Sequence, residues 1–301
     1  MNYRITALTV ARVMRDKTYE KAHDPPDMGV KVKRPVYIFL VEGPADTTDR
    51  FLIDTGCPSA ADGPEAWAPT EFRQPVPDGG GHDGVIDALA SVDLRPSDIK
   101  RVILTHGHIE NAWNTDLFPD AQIIIQRDEV ECMFAPVAWQ RLLYYWGHDQ
   151  PYKAAIDIQM RRKPSQCLLL WGDTEIADGI TCLKTPGHTF GLQVPIIQTE
   201  KGKVAICAAG STYANWFPTD PRFGFALKPL AGTFNKDGTY VVQEWKLLQE
   251  MHRVRRIADI IVPVNDQAIP KRIPEQWWDC PSDAEMKRAN KFEHIPFKPG
   301  V

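Results

Sequence analysis

The sequence predicts an α/β chain made of two strand-rich halves with helices flanking them. Three observations predict it: two separate sets of short β-rich segments, helical stretches lying between them, and enough apolar residues for a large core. The chain has 301 residues, 43% of them hydrophobic, which suits one large domain or two ordinary ones. The first set of strands is expected near Tyr3 to Val10, Val36 to Val41, Phe51 to Asp54, Arg101 to Leu104 and Gln122 to Gln126. The second is expected near Thr181 to Lys184, Gln193 to Thr199, Val204 to Ala208 and Ile257 to Val264. Helices are expected at Val85 to Ser91 and Tyr240 to Val254, where apolar residues recur at spacings of three and four. No sequence repeat independently proves a symmetry between the two halves.

Residues from about Glu129 to Lys163 interrupt this plan with a helical-looking, aromatic stretch containing Phe134, Trp139, Leu142, Leu143, Tyr144, Tyr145, Trp146 and Tyr152. Its aromatics suit the packing of an insert onto the core or a dimer contact. The expected domain runs over 1–272. The tail 273–301, with Trp277, Trp278 and several prolines, has too few apolar residues for a domain of its own and reads as an arm packed on the body or on a partner chain.

Formal net charge is −4, and Lys and Arg are scattered, so there is no basic footprint for nucleic acid. The small cluster Lys31-Val32-Lys33-Arg34 reads as solvated loop. The start, Met1-Asn2-Tyr3-Arg4-Ile5, lacks the pattern of a signal peptide, and no apolar run reaches the length of a membrane span, so a cytoplasmic location without a membrane partner is expected. The cysteines, Cys57, Cys132, Cys167, Cys182, Cys207 and Cys280, are dispersed without a Cys-x-x-Cys pair, which points away from a disulfide framework or a cysteine zinc knuckle. Cys57 falls on a loop bordering the candidate site, and packing is the favoured reading because no partner base is identifiable.

The chemistry is concentrated in Thr105-His106-Gly107-His108-Ile109-Glu110-Asn111, directly after the apolar run Val102-Ile103-Leu104. Two histidines two residues apart in extended or turn geometry can both face one cation, and imidazole is the commonest neutral ligand for zinc and its first-row neighbours. This segment resembles the His-x-His-x-Asp-His signature of the metallo-β-lactamase superfamily. Two further segments match in the same order: Phe51-Leu52-Ile53-Asp54-Thr55-Gly56, and Thr185-Pro186-Gly187-His188-Thr189-Phe190-Gly191. Gly210-Ser211-Thr212-Tyr213 is most similar to the N-acyl homoserine lactonase branch, and the match extends from roughly Tyr37 to Asp266. The resemblance implies an αββα sandwich with a helical aromatic insert beside the metal site. It also implies that His106, His108 and His188 bind one metal ion, oriented from behind by Asp54.

Departures from the pattern limit the metal count. Relatives with two ions hold the second through an Asp, a His, a bridging Asp and a late His, and these positions read Glu110, Asn111, Gly210 and Asn265 here. Glycine offers no donor, an amide replaces imidazole weakly, and loss of the bridging carboxylate removes charge that holds two cations together. One divalent ion is therefore expected, zinc first, with iron and manganese open.

The function implied is a mononuclear metal-dependent hydrolase that opens a lactone or related cyclic ester or amide with water activated at the metal. Glu110 is a fourth ligand or the general base, Asp266 a second candidate for either task, and Tyr213 a donor to the developing oxyanion. Trp113, Trp139, Tyr145, Trp216 and Phe217 are candidate pocket residues for a small-molecule substrate. Each has a plainer alternative: Asp54 as a turn former, Glu110 as a solvated carboxylate, Tyr213 as a packed aromatic. A non-catalytic ligand-binding relative and an Fe(II)-dependent oxygenase remain alternatives on the same fold, and a homodimer is open.

Overall fold

β1 (Arg4–Asp16) and β2 (Lys31–Glu42) form a long antiparallel ladder that continues outward to the pair Asp16↔Lys31. In a computed structural model, the chain is described over residues 1–16, 30–44, 50–62, 77–136, 144, 153–210, 212–216, 239–267, 269 and 272–273. Lys31 to Arg34, expected as loop, are strand: pairing with β1 satisfies their backbone, and Lys33 reaches Asp78 across the surface at 2.8 Å.

Next come β3 (Arg50–Ile53), the two-residue β4 (Asp78–Gly79), α1 (Gly81–Ala90), β5 (Arg101–Ile103), the short α2 (Ile109–Ala112) and β6 (Gln122–Gln126). α3 (Arg127–Phe134) and α4 (Lys153–Ile156) lie in the expected insert, and β7 (Cys167–Leu170) returns to the sheet. The first sheet has the order β13-β1-β2-β3-β5-β6-β7, where β13 is Arg272–Ile273, and β4 pairs with β1. β3, β5, β6 and β7 are mutually parallel. The second sheet has the order β12-β11-β10-β9-β8, from β8 (Thr174–Ala177), β9 (Ile180–Lys184), β10 (Gln193–Thr199), β11 (Gly202–Cys207) and β12 (Ile260–Pro263).

The first sheet is apolar on both faces, which is why its strands read as continuous hydrophobic runs. Alternation sends Phe39, Val41, Phe51, Ile53, Ile103 and Ile124 inward, where they meet Ile180, Cys182, Val204, Ile206 and Val262 of the second sheet. Ile38, Leu40, Leu52, Val102, Ile123 and Ile125 point the other way, into a core shared with Val85 and Leu89 of α1. α5 (Tyr213–Trp216) precedes α6 (Thr239–Ile257), which covers the second sheet through Leu247, Leu248, Met251 and Val254. The layers are helix, sheet, sheet, helix, as the αββα expectation requires.

Some boundaries differ from expectation. Ile257 ends α6, and the strand expected from it begins at Ile260. β7, β8 and β13 were not expected from the sequence. Ile273, placed at the head of an arm, pairs with Ile5 and is buried, while residues 274–301 lie outside the described residues. The insert's exit is anchored by Arg162, which binds Asp157 at 2.7 Å and donates to the carbonyls of Thr115, Phe118 and Ala121. Trp139 and Tyr145 lie outside the described residues. Among the described residues no helix is long and apolar enough to cross a membrane, and the five described cysteines are unpaired with one another.

Candidate metal centre

The site forms where the parallel strands β3 and β5 end. Beyond β3 the chain turns at Asp54, a non-glycine residue held at φ 61° in the left-handed region. Its backbone N–H donates to Ile103 at 2.8 Å, locking the turn to β5. Asp54 Oδ1 accepts hydrogen bonds from Thr105 N at 2.7 Å and Thr105 Oγ1 at 2.9 Å, and Oδ2 accepts one from Asn111 Nδ2 at 2.7 Å. Burial pushes the Asp54 carboxyl up to about 7 against the pull of these donors, and Glu110 adds to the rise.

Thr105 Oγ1 also lies 3.1 Å from His106 Nδ1. With Asp54 ionised, its carboxylate accepts the single proton of the threonine hydroxyl. Thr105 Oγ1 must then accept from His106 Nδ1–H, which leaves the lone pair on His106 Nε2. The relay Asp54–Thr105–His106 therefore selects the tautomer a metal ligand needs. Nε2 of His106 is buried and has no hydrogen-bond partner in the protein.

His188 comes from the loop between β9 and β10. Gly187 allows that loop to pass against α6, since a Cβ there would sit 2.5 Å from Leu247 Cβ, with φ at +144°. His188 Nε2 lies 3.1 Å from His108 Nδ1. The three imidazoles approach with ring centroids 4.5, 4.7 and 5.0 Å apart, and one nitrogen of each lies within 4.8 Å of the others. Burial holds all three below the usual histidine range; His106 and His108 are lowered further by neighbouring histidines, whereas Glu110 partly restores His188. Neutral, convergent imidazoles with a buried unpartnered Nε2 fit a first-row divalent ion.

The other expected residues fall in varied places. Glu110 is half-buried on α2, and its charge is felt at both Asp54 and His188. Asp266 is half-buried after β12, and its backbone N–H donates to Pro263; its charge is felt at Tyr37, whose phenol is raised chiefly by burial. Tyr213 opens α5, while its side chain and Phe217 lie outside what is described. Trp113, expected on the pocket wall, is buried in the outer core with Val85 and Leu89. Trp216, also expected there, is fully buried in the inner core, and its Nε1 donates to Gly210 O at 2.5 Å. Cys57 is buried, and its carbonyl accepts from Gly81 N at 2.8 Å and Asn114 Nδ2 at 3.2 Å.

Of the four positions that the resemblance implies for a second ion, Asn111, Asn265 and Gly210 are engaged in other contacts. Asn111 is turned to Asp54, and Asn265 Nδ2 donates to Pro35 O at 3.0 Å. Gly210 has φ +62°, and a Cβ built on it would meet Met251 Cε at 2.7 Å and Trp216 Nε1 at 3.0 Å.

Sequence reasoning missed Glu129, a fully buried carboxylate on α3 beside the histidine loops. Asp128 and Glu131 share the same eight-residue helix, so no local pattern singles out Glu129. Its role depends on which face of α3 meets the core.

Residues 32–221 match the model of the metallo-beta-lactamase superfamily. The chain is 30% identical over 198 residues to an N-acyl homoserine lactonase of Bacillus cereus, covering 64% of this chain and 70% of that protein. It is 29% identical over 185 residues to one of a Bacillus species, covering 60% of this chain and just under two thirds, 64%, of that relative. Among solved structures, an N-acyl homoserine lactone hydrolase with its product N-hexanoyl-L-homoserine at the catalytic metal centre aligns with TM-score 0.64 at 23% identity, over 95% of this chain and 99% of that one. AidC, a dizinc quorum-quenching lactonase, aligns with TM-score 0.60 at 16% identity, over 90% and 89%. These structures share the fold, the sequence relatives are lactonases, and the matched span contains the relay and all three histidines: the chain belongs to the metallo-beta-lactamase superfamily.

Proposed function

We propose that the protein is a mononuclear metal-dependent hydrolase that opens a lactone or a related cyclic ester or amide. The observation that carries this reading is the convergence of His106, His108 and His188, with His106 Nε2 buried and without a partner in the protein. A divalent ion held there, zinc in first place, would supply Lewis acidity toward a carbonyl oxygen and toward water. A single ion is favoured because Met251 and Trp216 fill the space a bridging carboxylate at position 210 would need, and Asn111 and Asn265 are bonded away.

The chain's own residues perform the remaining tasks. Asp54 and Thr105 hold His106 in the tautomer that presents Nε2. Glu110 is the general base: its carboxylate accepts the proton of the attacking water and returns it to the leaving oxygen or nitrogen. It is preferred to Asp266 because it stands in the first turn of α2, the helix that His108 caps, and its charge bears on His188 and Asp54. Tyr213, taken from the resemblance, donates a hydrogen bond to the oxygen that becomes negative.

The lactonase relatives make N-acyl homoserine lactones the first substrates to assay, followed by simple γ- and δ-lactones and lactams, with lactone opening followed by proton release and lactam opening by chromatography of the amino-acid product. The expected result is turnover that falls at least about 100-fold in His188→Ala and Glu110→Gln, with zinc retained in the latter. Absence of turnover on every ring, or iron-dependent oxygen uptake in its place, overturns the reading.

A further inference from the structure

We propose that Glu129 is a positioning residue that holds the two histidine-bearing loops in register, so that His106, His108 and His188 meet a metal ion at the correct geometry. The inference rests on the three-histidine reading above. Glu129 is fully buried, and both carboxylate oxygens are used, each by two donors. Oε1 accepts from Gly107 N at 2.8 Å, between the paired histidines, and from Tyr144 Oη at 2.7 Å. Oε2 accepts from Thr189 Oγ1 at 2.6 Å, directly after His188, and from Gly191 N at 3.0 Å.

One side chain therefore joins two loops about 80 residues apart in sequence, with His188 and His108 separated by that distance. The roots of the loops have another tie, since Gln193 N donates to Thr105 O at 2.8 Å. Their tips, where the ligands sit, are joined through Glu129. Tyr144 adds a third contact: its hydroxyl reaches Glu129 while its ring packs against that of His108 at 5.0 Å and 64°.

Steric fit reinforces the arrangement. A Cβ at Gly191 would stand 2.2 Å from Glu129 N, and one at Gly107 would stand 2.5 Å from Met133 Cγ. Glu129 and Met133 are four residues apart on α3, so a single helix face is pressed onto both loops. Glutamine cannot replace Glu129 here, because a carboxamide has one acceptor oxygen. Whichever way it is turned, its NH2 faces the backbone N–H of Gly107 or of Gly191, and neither can reverse as a hydroxyl can.

The test is zinc affinity by chelator competition, together with the visible d–d spectrum of the Co(II)-loaded protein, for wild type, Glu129→Gln, Thr189→Ala, Tyr144→Phe and His106→Ala. Circular dichroism on the metal-free forms checks folding. The expected result is a roughly 10- to 100-fold weaker zinc affinity in a folded Glu129→Gln variant, with an altered Co(II) spectrum. Thr189→Ala and Tyr144→Phe, which each remove one donor, are expected to shift both readouts in the same direction by less, and they decide the matter if Glu129→Gln does not fold. Wild-type affinity and an unchanged spectrum in folded Glu129→Gln, or in both single-donor variants, overturn the inference while His106→Ala still loses zinc. Zinc binding untouched by His106→Ala overturns the three-histidine reading, and this inference with it.

Discussion

Replacing Gly210 by alanine tests whether the bridging position of a second metal site is sterically closed. Two costs follow from the structure. Gly210 has φ +62°, and an L-residue there costs about 1–2 kcal/mol relative to glycine. The new Cβ would lie 2.7 Å from Met251 Cε and 3.0 Å from Trp216 Nε1. Met251 Cε ends a flexible side chain and can retreat. Trp216 is fully buried and is held by its own hydrogen bond to Gly210 O, so it resists. Overpacking of this kind costs roughly 1–3 kcal/mol. Together the terms predict a loss of about 2–5 kcal/mol, to be read from urea unfolding of the metal-free protein. Part of the overlap belongs to Met251, so Gly210→Ala should cost less in a Met251→Ala background. Gly210→Asp should destabilise at least as much and leave metal content unchanged. A Gly210→Ala variant within about 0.5 kcal/mol of wild type, or a Gly210→Asp variant that gains a second ion, would refute the reasoning.

Three further outcomes are expected. Arg162→Met leaves Asp157 buried without its partner, and three carbonyls lose a donor, so unfolding free energy should fall by about 3–5 kcal/mol; a loss under 1 kcal/mol would show that the insert's exit is held by other contacts. Asn111→Ala removes a donor from the buried Asp54 and should cost about 1–3 kcal/mol in chemical denaturation, with zinc stoichiometry unchanged; a fall in stoichiometry would make Asn111 a ligand. The third concerns pH. Burial depresses the folded-state affinity of His108 for protons below that of the unfolded chain, whose value is about 6.5. The unfolded state then binds more protons, so His108 contributes stability that is present above pH ~6.5 and is lost as pH falls below it. Asp54, raised from 3.8 to about 7 chiefly by burial, acts with the opposite sign between those values. The informative quantity is therefore the melting-temperature difference between metal-free wild type and His108→Gln, which should shift against wild type from pH 7.5 to 5.5; a constant difference would contradict the shift.

Much of the fold is visible in local pattern because the first sheet is apolar on both faces. Runs such as Phe51-Leu52-Ile53 and Ile123-Ile124-Ile125 declare themselves without reference to partners. Strands whose place is set by a distant partner do not. β13 is two residues long and exists through its ladder to β1, and Lys31 to Arg34 are strand because β1 lies beside them. β7 is an edge strand with Leu168 and Leu169 exposed, so burial gives it no alternating signature.

At the site, His106 and His108 stood out by their spacing, whereas Asp54, 51 residues before Thr105, and His188, 80 residues after His108, were legible only through the resemblance of their segments to family motifs. Glu129 was not, since its partners Gly107 and Gly191 are brought to it only by the packing of α3. Trp216 misled for a related reason. Its proximity to a metal-bearing loop suggested a pocket, but the absence of a side chain at position 210 leaves room for its indole inside the core.

Metal content per chain tests the central claim most directly, measured by elemental analysis on protein purified without added metal or chelator, with His106→Ala alongside. One equivalent of zinc, lost in the variant, is the predicted result. Two equivalents would contradict the single-ion account and require a second ligand set. No metal even after reconstitution, or one equivalent retained in His106→Ala, would contradict the three-histidine centre itself.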